Sequence, residues 1–165
     1  MAKDKTYTTL RSDLALTRYV GAPSSVPLEV ADSWGSLDLL VLPAGRGRTV
    51  RRGAGSDVGV VSGRANLAQA LVLRLLTRQG DLAALGHPDY GSRLTELIGQ
   101  PNSETTRNLA RLYIIQAIRQ ERRVRQLLDL SVQTLPAQPQ TIRVGFAVLP
   151  VDDDDPLALS LEVAL

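Results

Sequence analysis

Leu128-Asp-Leu-Ser-Val-Gln133, Ile142-Arg-Val-Gly-Phe-Ala-Val148 and Leu157-Ala-Leu-Ser-Leu-Glu-Val-Ala-Leu165 share one pattern. In the first, Leu128, Leu130 and Val132 alternate with Asp129, Ser131 and Gln133. In the second, Ile142, Val144, Phe146 and Val148 alternate with Arg143, Gly145 and Ala147. In the third, Leu157, Leu159, Leu161, Val163 and Leu165 alternate with Ala158, Ser160, Glu162 and Ala164. Successive side chains of a strand point to opposite faces, so each run predicts a half-buried strand. The predicted spans are about 126–133, 141–149 and 157–164. Pro136-Ala-Gln-Pro139 and Val151-Asp-Asp-Asp-Asp-Pro156 separate them and read as turns, which gives an antiparallel meander. The third strand is expected to offer a sheet edge to a strand from another chain.

Upstream the apolar period changes from two to 3.6. Leu67, Ala68, Leu71, Val72, Leu75 and Leu76 cover one half of a helix predicted over about 65–78, with Leu73 the outlier, Arg74 and Arg78 on the other side and Gly80 as the stop. Gly86-His-Pro-Asp-Tyr-Gly91 reads as a turn, and a short helix is expected over 91–98, ended by Gly99. Asn102 or Ser103 is placed to cap a longer helix over 103–124. Its Leu109, Ala110, Tyr113, Ile114, Ala117 and Ile118 fill one arc, while Leu112 and Ile115 point elsewhere. A helix with so little purely polar surface is buried on several sides, and a partner can supply part of that burial. The fold class is therefore α+β, a small helical layer packed on a C-terminal antiparallel sheet.

The first 57 residues are weakly patterned and are expected to form an N-terminal arm with loops. Gly21-Ala-Pro-Ser-Ser-Val-Pro27 reads as a loop or linker; Leu37–Leu42 and Val58–Val61 are short strand candidates. The stretch from Gly45 to Gly55 holds Arg46, Arg48, Arg51 and Arg52 among four glycines. That composition fits a solvated basic loop. Nucleic-acid binding is the weaker reading, because no aromatic side chains are interleaved for base stacking.

Composition narrows the chemistry. The chain has 165 residues, enough for one domain, with 44 % hydrophobic but only 4 % aromatic residues, so its core must be aliphatic. Cysteine is absent, which removes disulfides, thiolate nucleophiles and cysteine-ligated zinc. A single histidine, His87, cannot build a multi-histidine metal site within one chain. Net charge is +2, and 17 of the 19 basic residues are arginines, Lys3 and Lys5 being the exceptions. Arginine suits interfaces through planar, bidentate contacts, although genomic base composition produces the same bias. No signal peptide is visible and no apolar run approaches the roughly 20 residues of a membrane span, so cytoplasmic synthesis is expected.

Catalytic material is scarce. The chain lacks a Gly-x-Ser-x-Gly elbow, a phosphate loop and a His-Glu-x-x-His pair. His87, ahead of a proline in a turn, reads as structural rather than catalytic. Asp152 to Asp155 lack the glycine and distal glutamate of a calcium loop and read as a solvated turn, because adjacent carboxylates repel and resist burial. Asp81, Glu96 and Glu121 are the carboxylates from which a glycosidase pair would have to come, but spacing does not show any two facing one cleft. No enzyme activity, metal or cofactor is expected. Gln120-Glu-Arg-Arg-Val124 is unusual: on a continuing helix Glu121 would enter the apolar arc. Either the helix ends before it or an arginine pairs with it. A frayed helix end, with arginines near the negative pole, is the plainer alternative.

Asn66-Leu-Ala-Gln-Ala-Leu-Val-Leu-Arg-Leu-Leu-Thr77, Gly80-Asp-Leu82, Gly86-His-Pro-Asp-Tyr-Gly-Ser-Arg-Leu94 and Gln120-Glu-Arg-Arg-Val124 follow in order. Together they resemble the contractile-tail baseplate wedge or sheath-initiator family, the lysozyme-like wedge proteins of contractile phages, type VI secretion and extracellular contractile injection systems. The resemblance covers about 58–165 and is carried most specifically by His87, Pro88, Asp89, Tyr90 and Gly91. It implies a structural, non-enzymatic protein with a sheath-like "handshake" sheet, six copies of which surround the tube. Leu157, Leu159, Leu161 and Val163 would then mark the strand that pairs with the first sheath ring. The family's Glu-Pro-Arg motif docks on the wedge, and Glu121, Arg122 and Arg123 occupy it here, with arginine replacing the proline that would break a helix. The implied partners are sheath protein, other wedge subunits and tube or hub proteins, with neither nucleic acid nor membrane. The implied location is a tail-like particle assembled in the cytoplasm and able to leave the cell. A peptidoglycan-cleaving lysozyme and a nucleic-acid-binding module remain the alternative functions.

Overall fold

The computed structural model describes residues 10–14, 41–43, 56–58, 60–151 and 153–165. Among them are seven strands and two α-helices in the order β1 (Ser12–Leu14), β2 (Val41–Pro43), β3 (Ser56–Val58), β4 (Val60–Ser62), α1 (Gly63–Leu76), α2 (Glu104–Arg119), β5 (Val124–Leu135), β6 (Gln138–Pro150) and β7 (Leu157–Ala164). Two 3-10 turns, Ala83–Leu85 and Leu94–Leu97, lie between the helices. The fold is α+β. β5, β6 and β7 form an antiparallel meander with β6 in the middle. α1 packs against β7 and α2 against β5.

The period-two phase places the core. Ile142, Val144, Phe146 and Val148 of β6 and Leu157, Leu161 and Val163 of β7 are buried against Leu67, Leu71 and Leu75 of α1 and Ala110, Ile114, Ala117 and Ile118 of α2. Each such large apolar side chain contributes about 1.5–3 kcal/mol on burial. β5 departs from the expected phase. Leu127 faces Val148 and Asp129 faces Ala147, so a bulge inserts Leu128 as an extra residue. Leu127 and Leu130 consequently pack on the core, and Leu128 is exposed.

Both helices end earlier than their apolar periods suggest. α1 stops at Leu76 rather than 78, because Thr77 turns extended while its amide and its hydroxyl both donate to the Leu73 carbonyl. α2 starts behind Ser103, whose hydroxyl accepts the Thr106 amide. It ends at Arg119 rather than 124. Glu121 then turns the chain, its carbonyl accepting the Val124 amide at 3.0 Å. The break comes without the proline. The helix expected over 91–98 shrinks to Leu94–Leu97, because Gly91 and Ser92 are held against α1. On α2, Leu109 and Leu112 are exposed.

Of the expected arm 1–57, residues 10–14 are built into the domain. Leu10 is fully buried in the core, and β1 pairs antiparallel with β4. Two buried amides of α1 secure it: Asn66 Nδ2 donates to the Leu10 carbonyl at 2.7 Å, and Gln69 Nε2 to the Leu14 carbonyl at 2.8 Å. β2 and β3 form a second antiparallel pair; Val41–Pro43 overlaps the end of the strand expected at 37–42, whose residues 37–40 lie outside the described residues. The strand expected at 58–61 is split between Ser56–Val58 and Val60–Ser62. The proposed linker at 21–27 and the arginine loop at 46–52 lie outside the described residues.

Candidate functional site

The turn leaving α2 carries a buried carboxylate. Glu121 is 7 % exposed. Arg123 grips it in bidentate fashion, Nε to Oε1 at 2.8 Å and Nη2 to Oε2 at 3.2 Å, and Arg74 Nη2 approaches Oε2 at 3.4 Å. Burial alone would push the Glu121 carboxyl up. The hydrogen bonds and charge of Arg123, helped by Arg74, outweigh it and hold the group below the usual carboxylate range. Both arginines stand near helix C-termini, where carbonyl dipoles favour positive charge. Arg122 is exposed on the same turn.

The His87–Gly91 stretch meets this cluster at one end only. His87, Pro88 and Asp89 are exposed, while Tyr90 is half-buried and its ring lies 4.4 Å beneath the Arg74 guanidinium. Burial raises the Tyr90 phenol above its ordinary value, and the charge of Arg74 opposes the rise. Gly91 is required there. Its φ is +105°, and a Cβ would come within 2.6 Å of the Thr77 carbonyl oxygen. The close approach lets the Ser92 amide donate to Thr77 O and the Ser92 hydroxyl to Leu75 O, both at 2.8 Å. Two motifs separated by about thirty residues of sequence thus form one cluster through Arg74. The wheel placed Arg74 only on the polar side of α1; its 47-residue separation from Glu121 leaves no local signal.

Beside the cluster lies an open cleft of about 480 Å³, lined by Gln79, Arg93, Tyr113, Gln116, Arg119 and Gln120 among others. Arg93 stacks 4.5 Å from the Tyr113 ring and pairs with Glu96. Among the described residues the cleft lining contains no carboxylate. Neither Glu96 nor Glu121 is among its lining residues, and Asp81 is exposed, so this cleft does not bring the three acids together.

The acidic β6–β7 turn is not fully solvated, contrary to expectation. Asp153 is 4 % exposed and ion-paired with Arg64. Arg64 also donates to the carbonyls of Asp155 (2.8 Å) and Pro156 (2.7 Å). Repulsion within the aspartate run is relieved because Arg64 takes Asp153 and Arg125 takes Asp154, at 3.0 Å. Sequence gave no sign of this, since Arg64 lies 89 residues from Asp153.

β7 follows at once. The side chains of Leu157, Leu161 and Val163 point into the core and Leu159 is half-buried, so what β7 can offer outward is backbone. The Leu165 amide donates to the Gln140 carbonyl at 2.8 Å. With Ala164 opposite Thr141, antiparallel alternation then turns the backbone groups of Leu157, Leu159, Leu161 and Val163 toward β6. Those of Ala158, Ser160, Glu162 and Ala164 face away, and among the described residues no strand covers them. No metal-binding group of acidic and histidine side chains occurs among the described residues, and no described helix is long and apolar enough to cross a membrane.

No protein-family model matches the chain, and no curated protein matches it. A crystal structure of a candidate tail lysozyme from Geobacter sulfurreducens, at 1.44 Å resolution, is similar over 61 % of this chain and 88 % of its own. The TM-score is 0.52 at 19 % sequence identity. The likeness establishes that the two share the α+β fold.

Proposed function

We propose that this chain is a structural component of a phage-tail-like contractile machine, a baseplate subunit on which the sheath begins. The observation that carries this is the outer edge of β7. It is an eight-residue strand without register shifts, anchored by a buried inner face, with outward backbone groups at every second residue. Such an edge accepts a strand by main-chain hydrogen bonding, and alternate side chains set the register. The tail assignment of the Geobacter sulfurreducens structure with the same fold supports the same context. In this reading the turn that carries Glu121, Arg122 and Arg123 faces the wedge, and the fold repeats around the tube.

The name of that neighbour also raises peptidoglycan cleavage. A glycosidase needs a carboxylic acid held protonated opposite a second carboxylate. Glu121 follows Gln120 of the cleft lining and is buried. The hydrogen bonds and charge of Arg123, helped by Arg74, hold its carboxyl below the usual carboxylate range, the opposite of an acid kept protonated. The structural reading therefore ranks first.

Truncating β7 is a poor test, because it would strip Leu157, Leu161 and Val163 from the core. Ser160→Pro is better. Proline at 160 removes an outward N–H and no bond to β6, a placement proline tolerates on an edge strand. The variant should fold, yet fail to nucleate sheath protein from its own system in an electron-microscopy assembly assay. Sheath growth at the wild-type level from a folded Ser160→Pro protein contradicts strand addition at β7.

A further inference from the structure

We infer that the Arg119–Arg123 turn presents arginines alone to its partner, with Glu121 as their internal support, and that the partner surface is acidic protein. The inference rests on the wedge-docking reading and specifies its chemistry. Both Glu121 carboxylate oxygens are occupied from within, by Arg123 and Arg74, and the residue is buried. It has little left to offer a neighbour. Arg119 and Arg122 are exposed, and among the described residues neither meets an acidic side chain. Arg123 keeps its outer rim partly open. The turn thus carries three arginines and one internal carboxylate. The C-terminal dipole of α2 offsets only about half a charge of the excess.

The surroundings extend the same character. Arg119 and Gln120 border the cleft, whose remaining polar lining is Gln79, Gln116, Ser92 and the Glu96-paired Arg93. The amide donors and the Arg119 guanidinium, which meets no carboxylate among the described residues, suit carboxylate side chains of a docked segment. Phosphate would satisfy the charge, but Tyr113 lies under Arg93 and gives a base no open ring to stack on. Acidic protein is therefore the occupant the geometry favours.

The test uses the full chain at low salt and follows its arginine Nε–Hε and backbone amide NMR signals. The probes are a short peptide of alternating glutamate and alanine, its lysine counterpart, and single-stranded oligothymidylate. The glutamate peptide should shift Arg119, Arg122, Arg123, Gln116 and Gln120 and bind about tenfold more weakly to Arg119→Glu/Arg122→Glu. Binding should persist in Arg111→Glu, a single charge reversal farther along α2, and the lysine peptide should not bind. Because no tail protein is present, the result is independent of whether wedge docking occurs. Tighter binding of oligothymidylate, shifts confined to other residues, or unchanged affinity in the double variant would each overturn the inference.

Discussion

The two edges of the three-stranded sheet are built to different specifications. β5 is interrupted three times, between Val124 and Gln126, between Leu127 and Asp129, and between Thr134 and Leu135. Side chains also crowd it: Arg111 of α2 reaches the Val132 carbonyl, and Asn102 ties Thr134 to Pro139 at the start of β6. β7 keeps one register from Leu157 to Ala164, and its outward backbone is uncovered among the described residues. Bulges and covering side chains are devices that stop an edge strand from pairing with another chain. Among the described residues, one edge of this sheet has them and the other does not.

The edges are alike in how they begin. Glu121 and Arg123 immediately precede β5, and Arg74 near the end of α1 braces them. Asp153 precedes β7, and Arg64 at the start of α1 holds it. One helix therefore fixes the entry points of both edge strands through a buried acid at each.

The sharpest way to break the comparison is proline scanning along β7. Leu161→Pro removes an inward ladder bond and a core leucine, and should cost about 5 kcal/mol or more in urea unfolding. Ser160→Pro should stay within about 2 kcal/mol of wild type. Equal losses would mean that the inward and outward assignments are wrong. Next come the two entry acids. Glu121→Ala leaves two arginines facing each other without their anion and should destabilise by about 3–5 kcal/mol. Asp153→Ala should cost less, about 2 kcal/mol, because Arg64 keeps two carbonyl acceptors and is the more exposed arginine.

Acid titration separates the wild type from Glu121→Gln. The folded-state pKa of Glu121 is depressed, so its contribution is complete above the unfolded carboxylate value of 4.5. It is lost as pH falls through the lower folded value. Thermal melts should show wild type losing its advantage over Glu121→Gln only below about pH 4.5, and a constant difference down to strong acid would deny the depression. The smallest effect is at Arg125, whose partner Asp154 is almost fully exposed. Arg125→Ala should change unfolding stability by less than about 0.5 kcal/mol.

The sheet was largely legible because one buried face imposes a period of two over three long runs. Legibility failed at Leu128, where a bulge reverses the phase and no residue type announces it. The helices were legible as apolar arcs but not in their ends. Thr77 and Glu121 stop them through bonds to residues only a few positions away, in sequences that could equally continue a helix. The Glu121–Arg123 pairing was foreseeable as one of two outcomes, because a buried carboxylate demands a cation. Arg74, Arg64 and the buried amides Asn66 and Gln69 were not. Their partners lie 47 to 89 residues away, and folding alone brings them together.

Residue-resolved amide exchange tests the unequal edges most directly. In the isolated chain, amides of Leu159, Leu161 and Val163 should exchange slowly and those of Ala158, Ser160, Glu162 and Ala164 rapidly. On adding sheath protein from the same system, the second set should become protected while β5 is unchanged. Protection appearing along β5, or no new protection on β7 in an assembled complex, would contradict the claim that β7 is where the sheath begins.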